Sequence, residues 1–487
     1  MKRLRINRVN AVRFFPEYLI VVVFLFSGCV AKSPPKGKGS LELKLPSSYQ
    51  SKLDIINSDT NWIKQISKDG KLEKLIEEVL LNNWDFKKAA TNVQRAAANA
   101  KISASKKYPK FSGDFGGART ERSFLGFPFG GDQESSETRP TVSKALFSSY
   151  GMSLDMNWEI DLWGRIRTGQ EAFIAEFEAS ANELKGFKAS LVGQTAKIWF
   201  SLLGAKEQEE LASRSLASFK ETQRMFRDAF DAGNGAASQI RLAASDVEVA
   251  VALLEQRKSQ VRAVARQLEI LLGRYPGGVI EAKGGLPEMP PPPPPGIPSD
   301  LLNRRMDIIA AERRLTAADR RIKEAKLALF PQISLTGSGG TTSEKLRDLA
   351  DSAFGVWNVG GQAGQQFFRA GEVLANVKLR QIMKTEAYID YQSEVLEALR
   401  EVETCLDNEV ILKNRWNALV LAEVNLIEAY KRSVDEYRGG IGTSMNLLFT
   451  QRQRLSVSSQ VLEMRRMRLE NRINLHLTLG GNIKSKQ

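Results

Sequence analysis

The chain has 487 residues, 42% hydrophobic and 26% charged, with a formal net charge of +14, two cysteines and one histidine. It is long enough for several domains or one elongated architecture, and its apolar content is that of a folded protein rather than a disordered one. One histidine nearly excludes a His-based triad or multi-His metal site, and two cysteines allow at most one disulfide.

The positive charge is spread along helical stretches and reads as solvated helix faces, so no nucleic-acid partner is expected. Residues 1–28 read as an export signal: Lys2, Arg3, Arg5, Arg8 and Arg13 precede an apolar run at 18–26. That run is too short to span a membrane, which needs about 20 apolar residues. It ends in Ser27-Gly28-Cys29, which resembles a bacterial lipobox and marks Cys29 for lipid attachment. Residues 29–70 then form a lipid-anchored N-terminal segment. With Cys29 acylated, Cys405 has no disulfide partner, and His476 is expected to be an ordinary helix-packing residue.

An internal repeat organises the rest. Asp85, Ala89, Val93, Ala96 and Pro109 recur 222 positions later as Asp307, Ala311, Leu315, Ala318 and Pro331. Further along, the offset is 207: Gly164 pairs with Gly371, Phe230 with Tyr437, Gly233 with Gly440, Gly235 with Gly442 and Gly273 with Gly480. A single change of offset places 15 extra residues in the first copy, between Pro109 and Gly164. Repeat one covers 71–286 and repeat two 299–487. Between them lies 287–298, whose six consecutive prolines dictate an extended linker.

Each repeat reads as a helix, a strand pair, a very long helix, a turn and a returning helix. In repeat one, the first helix is expected over 72–107 and the strand pair over about 110–162. Met152, Leu154, Met156, Trp158 and Ile160 alternate there with Ser153, Asp155, Asn157 and Glu159. Apolar residues on one face and carboxylates on the other suit a strand between lipid and a water-filled lumen. On this reading Ser153, Asp155, Asn157 and Glu159 line the lumen. The Gly-, Ser- and Glu-rich stretch 120–143 would be an extracellular loop.

A helix of roughly 168–230 would be ~95 Å long at 1.5 Å per residue. It turns at Ala232-Gly233-Asn234-Gly235 and returns over about 237–272. In repeat two, Ser299 and Asp300 are candidate N-caps for a helix to Leu329, followed by a strand pair at about 332–368. The second long helix runs over 372–437, the turn over 438–443 and the return over 443–479. Four strands cannot close a barrel, and an open edge cannot sit in lipid, so several chains must share one. The fold class is therefore α+β.

Trp158-Glu159-Ile160-Asp161-Leu162-Trp163-Gly164-Arg165, Gly296-Ile297-Pro298-Ser299-Asp300-Leu301-Leu302, Glu401-Val402-Glu403, Tyr437-Arg438-Gly439-Gly440-Ile441 and Leu479-Gly480-Gly481 occur in this order. With these motifs the chain resembles the TolC-like outer-membrane factors, specifically the lipid-anchored branch that serves resistance-nodulation-division pumps. The resemblance implies a homotrimer with a 12-stranded transmembrane barrel continued by a long periplasmic helical barrel. It implies an outer-membrane efflux channel working with a periplasmic adaptor and an inner-membrane pump. The helix tips at Gly233, Asn234, Gly235, Gly440, Ile441 and Gly442 would dock that adaptor.

Met306 departs from the proline usual in the family. The family also often narrows its periplasmic mouth with rings of aspartate, yet the matching positions here are Gln239, Leu242, Asn446 and Phe449. A polar-neutral and apolar constriction is expected in their place. No catalytic residue, cofactor or metal is expected, and the protein is read as no enzyme. Asp155 and Glu159 lie about 13 Å apart along one strand face, too far for a hydrolytic carboxylate pair. The remaining alternatives are a duct for protein secretion and a periplasmic coiled-coil scaffold, the latter leaving the duplicated strands unexplained.

Overall fold

The computed structural model describes residues 46, 49–50, 63, 70–125 and 142–481, with the side chains of 124, 125, 142 and 143 left aside. The export signal and Cys29 lie outside the described residues. In chain order the elements are α1 (Lys71–Asn82), α2 (Trp84–Ser105), β1 (Lys110–Leu125), β2 (Val142–Ile160), α3 (Arg165–Asp231) and α4 (Ala237–Leu271). Past the linker come a 3-10 turn (Pro298–Asp300) and a single helical turn (Leu301–Arg304). Then follow α5 (Met306–Leu327), β3 (Gln332–Ser343), β4 (Gly355–Gly364), α6 (Glu372–Arg438) and α7 (Ser444–Thr478). Among the described residues no helix is long and apolar enough to cross a membrane.

The duplication is visible in the lengths. The long helices α3 and α6 have 67 residues each, and the returning helices α4 and α7 have 35 each. Helices α2 and α5 have 22 residues each. At 1.5 Å per residue the long helices reach about 100 Å and the returning ones about 52 Å. A returning helix cannot climb back to the sheet alone, so a second helix stacks on its end. Asn83, between α1 and α2, donates its side-chain N–H to Leu271 O at the end of α4, 3.0 Å away. Arg305, 222 positions later and just before α5, donates to Thr478 O at the end of α7, 3.4 Å away.

These junctions correct the expected first helix of each repeat. The helix expected over 72–107 breaks at Asn83, whose extended backbone frees its carboxamide to cap Phe86 N at 2.9 Å while it reaches α4. Ser299 and Asp300 make no side-chain cap; they lie in the 3-10 turn, and the long run starts after a second break at Arg305. The expected 120–143 loop is also shorter than read. β1 continues to Leu125 and β2 begins at Val142, because the antiparallel ladder keeps pairing through Leu125↔Val142.

The four strands form one antiparallel sheet in the order β1-β2-β3-β4. The register runs from Lys110↔Asn157 in β1–β2, Ile160↔Ile333 in β2–β3 and Gln332↔Gly364 in β3–β4. Below the sheet, Leu72, Ile76 and Val79 of α1 pack with Trp199, Phe200, Leu202 and Leu203 of α3, and with Leu268 of α4. A matching cluster in repeat two gathers Ile308, Tyr391, Val395, Val402, Leu406 and Leu475 around Tyr49. Both lie at the helix junctions. There the Pro-rich linker crosses as extended chain, its Pro290 carbonyl and that of Leu286 just before it accepting from Arg472 and Arg465 of α7.

Candidate transport path

Cross-strand partners share a face, so the register sorts the sheet into two surfaces. On one surface Phe111, Met156 and Val359 share a row around Gly337, and Leu154 and Trp357 share the next around Gly339. These side chains are largely bare: Phe115 is 69% exposed, Leu154 58% and Trp357 81%. Tyr150 and Ile160 bound this apolar run. Ten residues at about 3.4 Å rise make ~34 Å along the strand, or ~26 Å of height at the ~40° tilt of membrane barrels. That matches the apolar band such barrels present to lipid. Aromatic residues mark its lower border: Trp158 donates to Lys107 O (2.9 Å), Trp163 donates to Pro331 O (2.7 Å), and Trp163 stacks on Phe330 at 5.3 Å.

The opposite surface carries Ser153, Asp155, Asn157 and Glu159, as expected from their alternation. Asp155 lies between Ser112 and Ser338, with Asn358 beyond; Asn157 lies between Lys110 and Thr336. Ser153 donates to Asp155 at 2.7 Å. Glu159 receives two hydrogen bonds from Arg165 Nη2, at 2.6 and 2.8 Å. This pairing ties the last turn of β2 to the first turn of α3. Asp161 accepts from Ile166 N (3.0 Å) and Arg167 N (2.8 Å), satisfying two of the helix's free donors. Gly164 permits the bend between them, at φ 80°. The Glu159–Arg165 bond and the Asp161 cap were not legible as roles in the sequence, although both residue pairs stand inside a quoted motif.

At the far end both turns are built alike. Gly233 and Gly440 adopt φ of 79° and 75°. Asn234 N donates to Ala229 O (2.9 Å), as Ile441 N does to Glu436 O (3.0 Å). A Cβ on Gly235 would sit 2.8 Å from Phe230 N, and one on Gly442 would sit 3.0 Å from Tyr437 N. Thr443 caps α7 through Asn446 N at 3.2 Å. Ile441 projects from its turn, 86% exposed.

Just above the turns, Phe226, Ala243, Leu447 and Leu448 are buried together, with Tyr437 tilted against Phe226 at 4.9 Å. Of the four residues expected to narrow the mouth, Gln239 is tied into this cluster by accepting from Tyr437 OH at 3.4 Å. Leu242, Asn446 and Phe449 stay exposed. The structure adds a link that spacing could not reveal. Arg452 of α7 grips both carboxylate oxygens of Asp246 on α4, at 2.8 to 3.2 Å, across 206 residues of sequence. Among the described residues no group of three or more His, Cys, Asp or Glu could hold a metal ion.

Known proteins share this arrangement. The chain is 27% identical over 459 residues to a toluene efflux pump outer membrane protein of Pseudomonas putida, covering 93% of this chain and 92% of the relative. It is 26% identical over 469 residues to a probable outer membrane lipoprotein of Salmonella typhimurium, covering 95% and 97%. Among solved structures, the open state of the Neisseria gonorrhoeae MtrE outer membrane channel superposes with a TM-score of 0.78 at 25% identity, covering 93% of this chain and 99% of that one. The family model described as outer membrane efflux protein matches residues 75–274 and 297–481, one stretch in each repeat. The chain belongs to the outer membrane efflux protein family.

Proposed function

We propose that three copies of this chain assemble into the passive exit duct of a tripartite efflux system in the outer membrane. The observation that carries this reading is the junction of two structures in one chain. A four-stranded sheet with an apolar outer face, a polar inner face and two open edges stands on helices about 100 Å long. Twelve strands from three chains close the barrel, and their helices continue it as a tunnel through the periplasm.

In this duct Ser153, Asp155, Asn157 and Glu159 line the barrel lumen, and Cys29 carries the lipid anchor. The tips at Gly233, Asn234, Gly235, Gly440, Ile441 and Gly442 dock a periplasmic adaptor that couples the duct to an inner-membrane pump. Gln239, Leu242, Asn446 and Phe449 form the constriction above those tips. The cargo is small apolar molecules of the kind for which the Pseudomonas putida relative is named. Nothing in the duct needs a catalytic group, because the pump supplies the energy.

Cells lacking their own channel but carrying the cognate adaptor and pump test this directly. Supplying the chain should restore resistance to toluene and lower the accumulation of a fluorescent substrate. Unchanged accumulation, with the trimer present in the outer membrane, would overturn the assignment.

A further inference from the structure

The apolar surface of the sheet has its second border at the end away from the helices. Gly117, Tyr150 and Ser343 share a row there. The β1–β2 ladder climbs past this row to Leu125↔Val142, whereas the β2–β3 ladder stops at it. The chain leaving β3 does not continue upward. Lys345 N donates to Ser343 Oγ at 3.2 Å, and two 3-10 turns follow, Leu346–Ala350 and Ser352–Phe354. Thr341, which shares the apolar face with Met152, donates its hydroxyl to Leu349 O at 2.9 Å. Ser343 and Leu349 are buried, while Thr342 on the opposite face is exposed. The connection 344–354 therefore folds back over the lipid-facing surface and not over the lumen.

The charges around this border sort into those already neutralised and those that are not. Glu121 and Lys144 share the outer face of the β1–β2 arm and lie 3.6 Å apart. Arg347 lies 3.3 Å from Asp348, and Asp351 accepts from Ala353 N at 2.9 Å. Arg119 and Lys345 are exposed, and neither has an ion-pair partner among the described residues. Each stands two residues past the row of Tyr150, in the same direction along the chain. Their strands flank β2 and are about 10 Å apart at the usual inter-strand spacing.

We infer that Arg119 and Lys345 bind the phosphates of a lipid in the outer leaflet. This rests on the outer-membrane duct proposed above, in which the helices run into the periplasm and the opposite strand ends meet the outer leaflet. The connection 344–354 lies in the headgroup layer, and Leu346, 55% exposed, reaches the acyl chains from it. The position favours a lipid over a soluble anion, because the two cations stand directly above a bare apolar wall that acyl chains must cover. Their long stems can lie along that wall while the charged ends rise to the headgroups. The charge favours an anionic headgroup, since a zwitterionic one balances its phosphate with its own amine. Two cations about 10 Å apart suit a headgroup that carries two phosphates.

Native mass spectrometry of the full, lipidated protein in detergent tests the site, with lipid A bearing two phosphates and its dephosphorylated form as probes. The protein should retain the diphosphorylated lipid at least tenfold more tightly. Arg119→Gln and Lys345→Gln should each weaken it about fivefold, and both together about 25-fold, the usual effect of single cations at an anionic lipid surface. Lys144→Gln, whose ammonium already faces Glu121, should change it by less than about twofold. With the mass still trimeric, equal retention of the two lipids, or unchanged retention in the double variant, would overturn the site. A loss in Lys144→Gln as large as that in Lys345→Gln would also overturn it, by reducing the effect to overall charge. A mass that is not trimeric would instead sink the duct reading on which the site rests.

Discussion

Arg472 and Glu409 form an ion pair sealed from solvent, with Nη2 2.6 Å from Oε2 and only 4% and 7% of the two side chains exposed. The positions 207 residues earlier are Ala265 and Leu202, both buried in the apolar core of repeat one. Repeat two carries charge there because the Pro-rich linker crosses it. Arg472 also donates to the Pro290 carbonyl, and Asn471 donates to Glu409 and to Cys405 O.

Removing one partner strands a buried charge, so Arg472→Ala or Glu409→Leu should each lose about 3–5 kcal/mol. The double variant, which copies repeat one, should lose clearly less than the two singles together. Thermal unfolding of the detergent-solubilised protein measures both. Strictly additive losses would show that the two groups do not act as a pair.

His476 gives stability a defined pH dependence. Burial, with Arg472 nearby, lowers its pKa to about 4 from an ordinary 6.5. The unfolded chain therefore takes up a proton below pH 6.5 that the folded chain refuses until about pH 4. The stability due to neutral His476 is complete above pH 6.5 and is lost as pH falls toward 4, by up to ~3 kcal/mol. His476→Gln should flatten the melting temperature across that window. An unchanged slope in the variant would assign the dependence to other groups.

At the helix tips, an added methyl meets backbone rather than a movable side chain. Gly235→Ala and Gly442→Ala should each destabilise their turn by about 1–2 kcal/mol, and Gly233→Ala by about 1 through its positive φ. Hydrogen exchange confined to residues 226–242 or 434–450 reads this out. Adaptor affinity should fall in parallel, whereas Asn234→Ala should leave the turn intact. Faster exchange without loss of adaptor binding would separate the tips from docking.

The constriction predicts an electrical signature. With Gln239, Leu242, Asn446 and Phe449 in place of carboxylates, Asn446→Ala and Phe449→Ala should each raise single-channel conductance in planar bilayers. Closure by packing requires Phe449→Ala to have the larger effect. Insensitivity to both would place the narrowest point elsewhere, and the Arg452–Asp246 link would be the next place to look.

The parts readable beforehand were those that follow from period. Met152 to Ile160 alternates strictly, and the long helices are free of proline, with closely spaced glycines at the turns. What escaped depends on distant partners. Asn83 is a good N-cap by type, yet nothing local interrupts the helical periodicity around it, and the break between α1 and α2 is explained only once Leu271 O is placed beside it. Ser299 and Asp300 are good caps by type, yet the proline before them starts a 3-10 turn and the helix waits for Arg305. Asp246 and Arg452 are ordinary surface charges until α4 and α7 stand side by side. At the candidate site, alternation placed Asp155 and Glu159 on one face, but Arg165 as the partner of Glu159 required the strand-to-helix bend.

The mass and heat-modifiability of the mature protein extracted from outer membranes, with and without Cys29→Ser, test the central claim most directly. The duct requires a trimer of acylated chains that needs detergent and changes mobility on heating, and Cys29→Ser should lose the acyl group but keep the barrel. A water-soluble monomer would contradict the barrel and the trimer together.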